Sequence, residues 1–261
     1  AFDFDTVHDR RSTESIKWRY FGAALPLWVA DMDFRSPEPI IRALHERVEH
    51  GIFGYPDEPP ELRELLVARM AAIYDWQIQA EDILFLPGVI KGFNLACHAL
   101  TQPGDEMLIQ TPVYPPFFSV ARNTATQRVE VPLVQGLNGA YEIDFDAFEN
   151  AMTGRSRIFL MSNPHNPVGR VFRRDELTRL AEICLRHGVA ICSDEIHCDL
   201  LFTGHTHLPI AALGEEISQN TVTLMAPSKT FNIAGLECSF AIVQNAETRQ
   251  SMQAARNCLL G

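Results

Sequence analysis

The sequence predicts an α/β fold, a seven-stranded and mostly parallel sheet sandwiched by helices. Two observations carry that prediction. From about residue 82, short apolar β-prone runs recur at Ile83–Leu86, Met107–Gln110, Arg128–Val134, Ile158–Met161, Val189–Ser193, Thr221–Met225 and Phe240–Val243. Amphipathic helical stretches lie between several of them, and strand–helix–strand repetition means parallel pairing with both sheet faces covered. A length of 261 residues suits one large domain or one and a half ordinary ones.

The elements follow in order. Residues 1–35 are irregular and aromatic-rich. Pro37–His50 and Pro60–Tyr74 read as helices, parted by the loop Gly51-Ile52-Phe53-Gly54-Tyr55-Pro56. Gly88–Leu100 places Val89, Phe93, Ala96, Cys97 and Leu100 on one helical face. Asp175–His187 does the same with Leu177, Leu180, Ala181, Ile183 and Cys184, and Gly188 is placed to end it. Ala246–Leu260 is a helical pattern on which the sequence closes, so further sequence beyond Gly261 is expected.

Composition narrows the function. Hydrophobic residues make up 46% and charged residues 21%, as in soluble globular proteins, and the net charge is −11. An acidic balance argues against nucleic acid or an anionic membrane as partner, since both demand basic surface. Cysteines stand at 97, 184, 192, 198, 238 and 258 with no CxxC spacing, which points away from zinc and redox disulfides and toward a reducing cytoplasm. No apolar run reaches the length of a membrane span and no signal pattern opens the chain.

Ligands of parallel sheets bind beyond the carboxyl ends of the strands, and four motifs fall there. Pro87-Gly88-Val89-Ile90 opens a helix, whose N-terminal amides bind phosphate without basic side chains. Thr111-Pro112-Val113-Tyr114-Pro115-Pro116 is a rigid loop holding one aromatic ring. Ser162-Asn163-Pro164-His165-Asn166-Pro167-Val168-Gly169 is a fixed turn presenting amides, and Ser193-Asp194-Glu195-Ile196-His197 puts adjacent carboxylates at the end of a buried strand. Ala226-Pro227-Ser228-Lys229-Thr230-Phe231-Asn232 puts a lysine where a fifth run ends, and a lysine held there does covalent chemistry with carbonyls. The last four each have a plain structural alternative: a packing tyrosine, a turn that needs proline and glycine, a helix cap or buried ion pair, a solvated lysine. Asp194, Glu195 and His197 also read as metal ligands, although no second cluster has ligand spacing. Taken together the parts describe pyridoxal 5′-phosphate, with a phosphate at a helix N-terminus, a tyrosine on a flat ring, an aspartate on a protonated ring nitrogen, an asparagine on a phenolic oxygen and a lysine as imine.

Asp194 stands 28 residues after Asn166, and Lys229 35 residues after Asp194. In that order the motifs resemble the class I/II aminotransferase superfamily of pyridoxal-phosphate enzymes, fold type I. Trp28–Phe34, Gly54-Tyr55-Pro56, Thr111–Phe117, Ser193–Leu200 and Ala226–Leu236 resemble more narrowly its carbon–sulfur lyase branch, the cystathionine β-lyases of MalY/PatB type. The resemblance implies that Lys229 forms the imine with the cofactor, Asp194 pairs with its pyridine nitrogen, Asn166 bonds its phenolic oxygen and Tyr114 stacks on its ring. The amides of Val89 and Ile90 and the Ser228 hydroxyl would hold the phosphate, and Tyr55 would reach the phosphate of a neighbouring subunit, implying a homodimer. Trp28, Ala30 and Asp31 would line the substrate entrance. Residues 1–45 would be an N-terminal segment associated with the small domain, and 46–261 the large cofactor-binding domain, with the C-terminal small domain absent.

Two positions depart from the aminotransferase pattern. His197 stands three residues after Asp194 where aminotransferases carry tyrosine, and Glu237 eight residues after Lys229 where they carry a phosphate-binding arginine. Histidine at the first place is what the lyase branch shows, and that branch also lacks the arginine. The arginine that grips the substrate carboxylate is expected beyond Gly261. The implied reaction is β-elimination from L-cystathionine, L-cysteine or a cysteine S-conjugate to thiol, pyruvate and ammonia. An aminotransferase and a non-catalytic regulatory protein are the alternatives.

Overall fold

Alternation within the strands decides which faces must be covered. In Ser156–Ser162, Ile158 and Leu160 enter one apolar cluster while Phe159 and Met161 enter another, the period-2 pattern of a strand buried on both sides. The computed structural model describes residues 3–55, 57–137 and 139–259. In chain order its elements are α1 (Ile16–Arg19), α2 (Glu38–His50), α3 (Pro60–Tyr74), β1 (Ile83–Leu86), α4 (Val89–Leu100), β2 (Glu106–Thr111), α5 (Pro116–Thr124), β3 (Gln127–Pro132), β4 (Val134–Gln135), β5 (Tyr141–Glu142), α6 (Phe145–Asn150), β6 (Ser156–Ser162), α7 (Arg174–His187), β7 (Ala190–Asp194), α8 (Glu215–Gln219), β8 (Thr221–Met225), β9 (Ser239–Ile242) and α9 (Ala246–Leu259). Pro56, Leu260 and Gly261, which the sequence reading included, lie outside the described residues.

Seven strands form one sheet in the order β1-β9-β8-β7-β6-β2-β3. Pairing is parallel from β8 through β3, while β9 runs antiparallel to both β8 and β1. One face is covered by α4, α5 and α9 through Phe93, Phe117 and Met252, the other by α6 and α7 through Phe148, Leu177 and Leu180. A third cluster seals the β1–β9 edge with Leu66 and Met70 of α3 and with Trp76. The α/β expectation with its seven-stranded, mostly parallel sheet is met.

Most boundaries shift by a residue or two, and two of the differences from the sequence reading have a clear local cause. The run Arg128–Val134 splits: β3 stops at Pro132 and Val134–Gln135 pairs with β5 in a separate two-stranded sheet. Because β3 is an edge strand, the missing N–H of Pro132 costs it no inward ladder bond. The run Val189–Ser193 begins one residue later, since the Val189 N–H caps α7 by donating to Cys184 O at 2.9 Å. Helix α7 stops where expected, with Gly188 in the left-handed region at φ 64°.

Helix α4 packs closely on the sheet because Gly92 faces it. A Cβ there would lie 3.0 Å from both Leu224 Cδ2 and Leu86 Cδ1. Gly92→Val is therefore expected to destabilise the chain by about 1–3 kcal/mol through overpacking. A fall in the urea midpoint at unchanged m-value checks this; an unchanged midpoint would mean that the helix–sheet contact relaxes freely.

Candidate active site

The carboxyl ends of β8, β7, β6 and β2 stand side by side along one edge of the sheet. Asp194 ends β7 opposite Ser162, which ends β6. Lys229 follows β8, Asn166 follows β6 and Tyr114 follows β2. The topology therefore brings the four residues of the sequence reading to one edge.

The Lys229 Nζ donates to Ala30 C=O at 2.9 Å. Burial lowers its pKa, while the negative charges of Asp31 and Asp194 act in the opposite direction. The chain has three lysines, at 17, 91 and 229. Lys17 Nζ bonds Asp33 Oδ2 at 2.7 Å and lies 3.6 Å from Asp31, and Lys91 Nζ bonds Glu237 Oε2 at 2.7 Å. Among the described residues, Lys229 alone of the three has no carboxylate in contact with its amine.

Asp194 is the complementary oddity. Burial, with a smaller contribution from Glu195, raises its carboxyl pKa to about 7 against the Ile196 N–H and the charge of Lys229. It accepts one hydrogen bond, from Ile196 N–H at 3.1 Å, and no side-chain cation contacts it among the described residues. A buried carboxylate in that condition calls for a cation. Its neighbour Glu195 faces elsewhere: it is fully buried, accepts from Ser193 Oγ at 2.8 Å and meets His207 Nε2 at 2.7 Å. The hydrogen bonds from His207 and Ser193 thus account for Glu195 and leave Asp194 without a side-chain cation among the described residues.

His197 is half-buried, and burial followed by the charge of Lys229 lowers its pKa toward neutral imidazole. Burial and the charge of Asp194 raise the phenol pKa of Tyr114. These mutual effects link Tyr114 with Asp194, and Asp194 and His197 with Lys229, along one edge of the sheet. The other expected residues are placed less directly. The Asn166 backbone N–H donates to Ser162 Oγ at 3.4 Å, and its side-chain amide makes no hydrogen bond among the described residues. Gly88 caps α4 at φ 106° with no side-chain cap, and its N–H donates to Ser239 Oγ, so the amides of Val89 and Ile90 remain among the unpaired donors of that terminus. The Ser228 hydroxyl is nearly buried and has no partner among the described residues. Tyr55 is fully exposed.

On the N-terminal segment, Trp28 packs against Tyr20 and Phe21 and donates from Nε1 to Lys17 O at 3.2 Å. Asp31 bonds Arg10 at 3.0 Å. Burial pushes the Asp33 carboxyl up, but hydrogen bonds from Lys17, Trp18 and Arg10 outweigh it and bring it down to about 2. Sequence reasoning missed this cluster, the Lys91–Glu237 pair and Asn232, which binds the same segment. The scarcity of lysines was the readable signal, since each lysine can be asked for its partner. Pyridoxal 5′-phosphate fits the donor set, which offers one amine without a carboxylate, one buried carboxylate without a cation, a half-buried tyrosine ring at a neighbouring strand end and open amides at a helix N-terminus.

The family model described as aminotransferase class I and II matches residues 25–260. Cystathionine beta-lyase PatB of Bacillus subtilis is 42% identical, over 99% of this chain and 69% of its own length. Cystathionine beta-lyase of Corynebacterium glutamicum is 31% identical, over 93% of this chain and 64% of its own. The crystal structure of cystalysin from Treponema denticola, which contains a pyridoxal 5′-phosphate cofactor, is similar at a TM-score of 0.95 and 34% identity, covering 100% of this chain and 68% of that one. The chain spans about two thirds of the length of these relatives.

Proposed function

The chain belongs to the class I and II aminotransferase family, and on that footing we propose that it is a pyridoxal-phosphate-dependent carbon–sulfur β-lyase cleaving L-cystathionine or related cysteine S-conjugates to thiol, pyruvate and ammonia. The observation that carries this reading is the pairing of a burial-perturbed Lys229 with a cation-less Asp194 at adjoining strand ends. The relatives named as cystathionine beta-lyases support the lyase assignment, as does His197 at the third position after Asp194.

When bound, pyridoxal phosphate supplies an electron-withdrawing ring that stabilises negative charge at the substrate Cα. Lys229 Nζ would hold the cofactor covalently and, as a free amine, would take the Cα proton; its lowered pKa increases the neutral fraction able to do so. The Asp194 carboxylate would keep the ring nitrogen protonated. Tyr114 would offer a flat face to the ring, and the Asn166 amide would donate to the phenolic oxygen. The amides of Val89 and Ile90 with the Ser228 hydroxyl would donate to the phosphate, and Lys91 offsets the negative charge of Glu237. Burial, then the charge of Lys229, shifts His197 toward its neutral form, and Trp28, Ala30 and Asp31 would border the entrance. The Cβ–S bond breaks with its electron pair leaving on sulfur, and water completes the release of pyruvate and ammonia.

The reading extends to assembly and place. Exposed Leu44, Val48, Ile52, Phe53 and Tyr55 on α2 and its following loop support a homodimer in which Tyr55 reaches the phosphate of the second subunit. Residues 1–45 form the segment associated with the small domain and 46–261 the large domain. Six free cysteines fit a reducing cytoplasm, and no helix among the described residues is long and apolar enough to cross a membrane.

Incubation with L-cystathionine and cofactor, with no keto acid added, is expected to release pyruvate and homocysteine in equal amounts. Amino transfer that needs a keto acid, with no pyruvate, would instead make the chain an aminotransferase.

A further inference from the structure

Asn232 lies three residues beyond Lys229 in the left-handed region, at φ 56°. Its Oδ1 accepts from Met32 N–H at 2.9 Å, and its Nδ2 donates to Met32 O at 3.0 Å and Phe34 O at 2.8 Å. Its own carbonyl accepts from Ser36 Oγ at 2.9 Å. Residues 32–36 lie outside any helix or strand, so these bonds take the place of a ladder for that stretch. Two residues before Met32 stands Ala30, whose carbonyl receives the Lys229 amine, and between them Asp31, tied to Arg10 and Lys17.

We propose that Asn232 is a positioning residue that staples the segment 30–36 across the mouth of the site and so fixes the Ala30 carbonyl and Asp31 against Lys229. The side-chain type follows from two demands. Left-handed backbone is tolerated by glycine, asparagine and aspartate, and only the amide of asparagine is both donor and acceptor toward Met32. Aspartate keeps the bond to Met32 N–H and loses the two donors, whereas glycine keeps the backbone and loses all three side-chain bonds. The staple also explains how an otherwise irregular N-terminal segment holds a fixed place nearly 200 residues away in sequence. The inference rests on the proposed role of Lys229 as the reactive amine.

The test uses Asn232→Gly and Asn232→Asp. In the cofactor-loaded protein, amide exchange at residues 30–34 is expected to rise by about 10- to 100-fold in Asn232→Gly, as the loss of three hydrogen bonds implies, with β7 and β8 unchanged. Asn232→Asp is expected to lie between. In the cofactor-free protein, labelling by trinitrobenzenesulfonate and peptide mapping compare the rate at Lys229 with that at Lys91 within the same molecule. The ratio is expected to change in Asn232→Gly and to be partly restored in Asn232→Asp. A merely structural asparagine would lower thermal stability and leave the ratio unmoved. Unchanged exchange at residues 30–34, or an unchanged labelling ratio, overturns the proposal. Neither readout depends on turnover, so failure of the staple and failure of the lyase reading are separate results.

Discussion

Lys229→Ala is expected to lower pyruvate release from L-cystathionine by about 10³-fold or more, because one side chain is lost both as covalent anchor and as Cα base. No other amine can substitute. Lys17 is held by Asp31 and Asp33, and Lys91 by Glu237 across the first turn of α4. The visible absorbance of covalently bound cofactor is expected to vanish with the activity, while thermal stability changes little, since Lys229 makes one hydrogen bond, to Ala30 O. Lys91→Ala is the control and retains the absorbance. Absorbance that survives in Lys229→Ala would assign the anchor to another residue.

Asp194→Asn is the second large effect, expected at about 10²–10³-fold in turnover through loss of the charge proposed to hold the ring nitrogen protonated. It has a signature independent of activity. In the cofactor-free chain burial raises the Asp194 carboxyl from 3.8 to about 7. The folded state then binds the proton more tightly than the unfolded state. The stability contributed is fully present below about pH 4 and lost as pH rises through about 7, on the order of 4 kcal/mol from this group. Asparagine keeps the acceptor for Ile196 N–H and cannot titrate, so the fall in stability between pH 4 and 8 is expected to be shallower in the variant. Added cofactor supplies the cation, and its stabilisation of the wild type is expected to grow across the same interval. Parallel pH curves for the two proteins, measured by thermal unfolding, would mean that Asp194 does not carry the raised proton.

Much of this site was legible because a parallel sheet imposes a simple rule. Lys229, Asp194, Asn166 and Tyr114 each follow or end an apolar run, and runs of a parallel sheet end on one side. The seven strands and helices α4 and α7 were legible for the same local reason, a period of 2 or 3.6 in buried residues. Helix α5 was hidden because Pro115-Pro116 reads as loop, although proline at the first helical position is well suited to start one. Helix α6 is six residues long and starts from an Asp144 cap that accepts from Ala147 N–H, too short for its periodicity to show. The hairpin of β4 and β5 was hidden inside a run that looked continuous through Pro132. What no local pattern carries is pairing at long range. The Glu195–His207 pair, the bond from Lys229 to Ala30 and the hold of Asn232 on Met32 and Phe34 join stretches whose spacing in sequence has no period to reveal them. Glu237 illustrates the difference: its departure from the arginine pattern was plain in the sequence, and only the structure supplied Lys91 as its partner.

The most direct measurement is borohydride reduction of the cofactor-loaded protein followed by peptide mass mapping. With three lysines the outcome is discrete. The reduced cofactor is predicted on the peptide containing Lys229 and on no other; an adduct on Lys17 or Lys91, or none at all, would contradict the account.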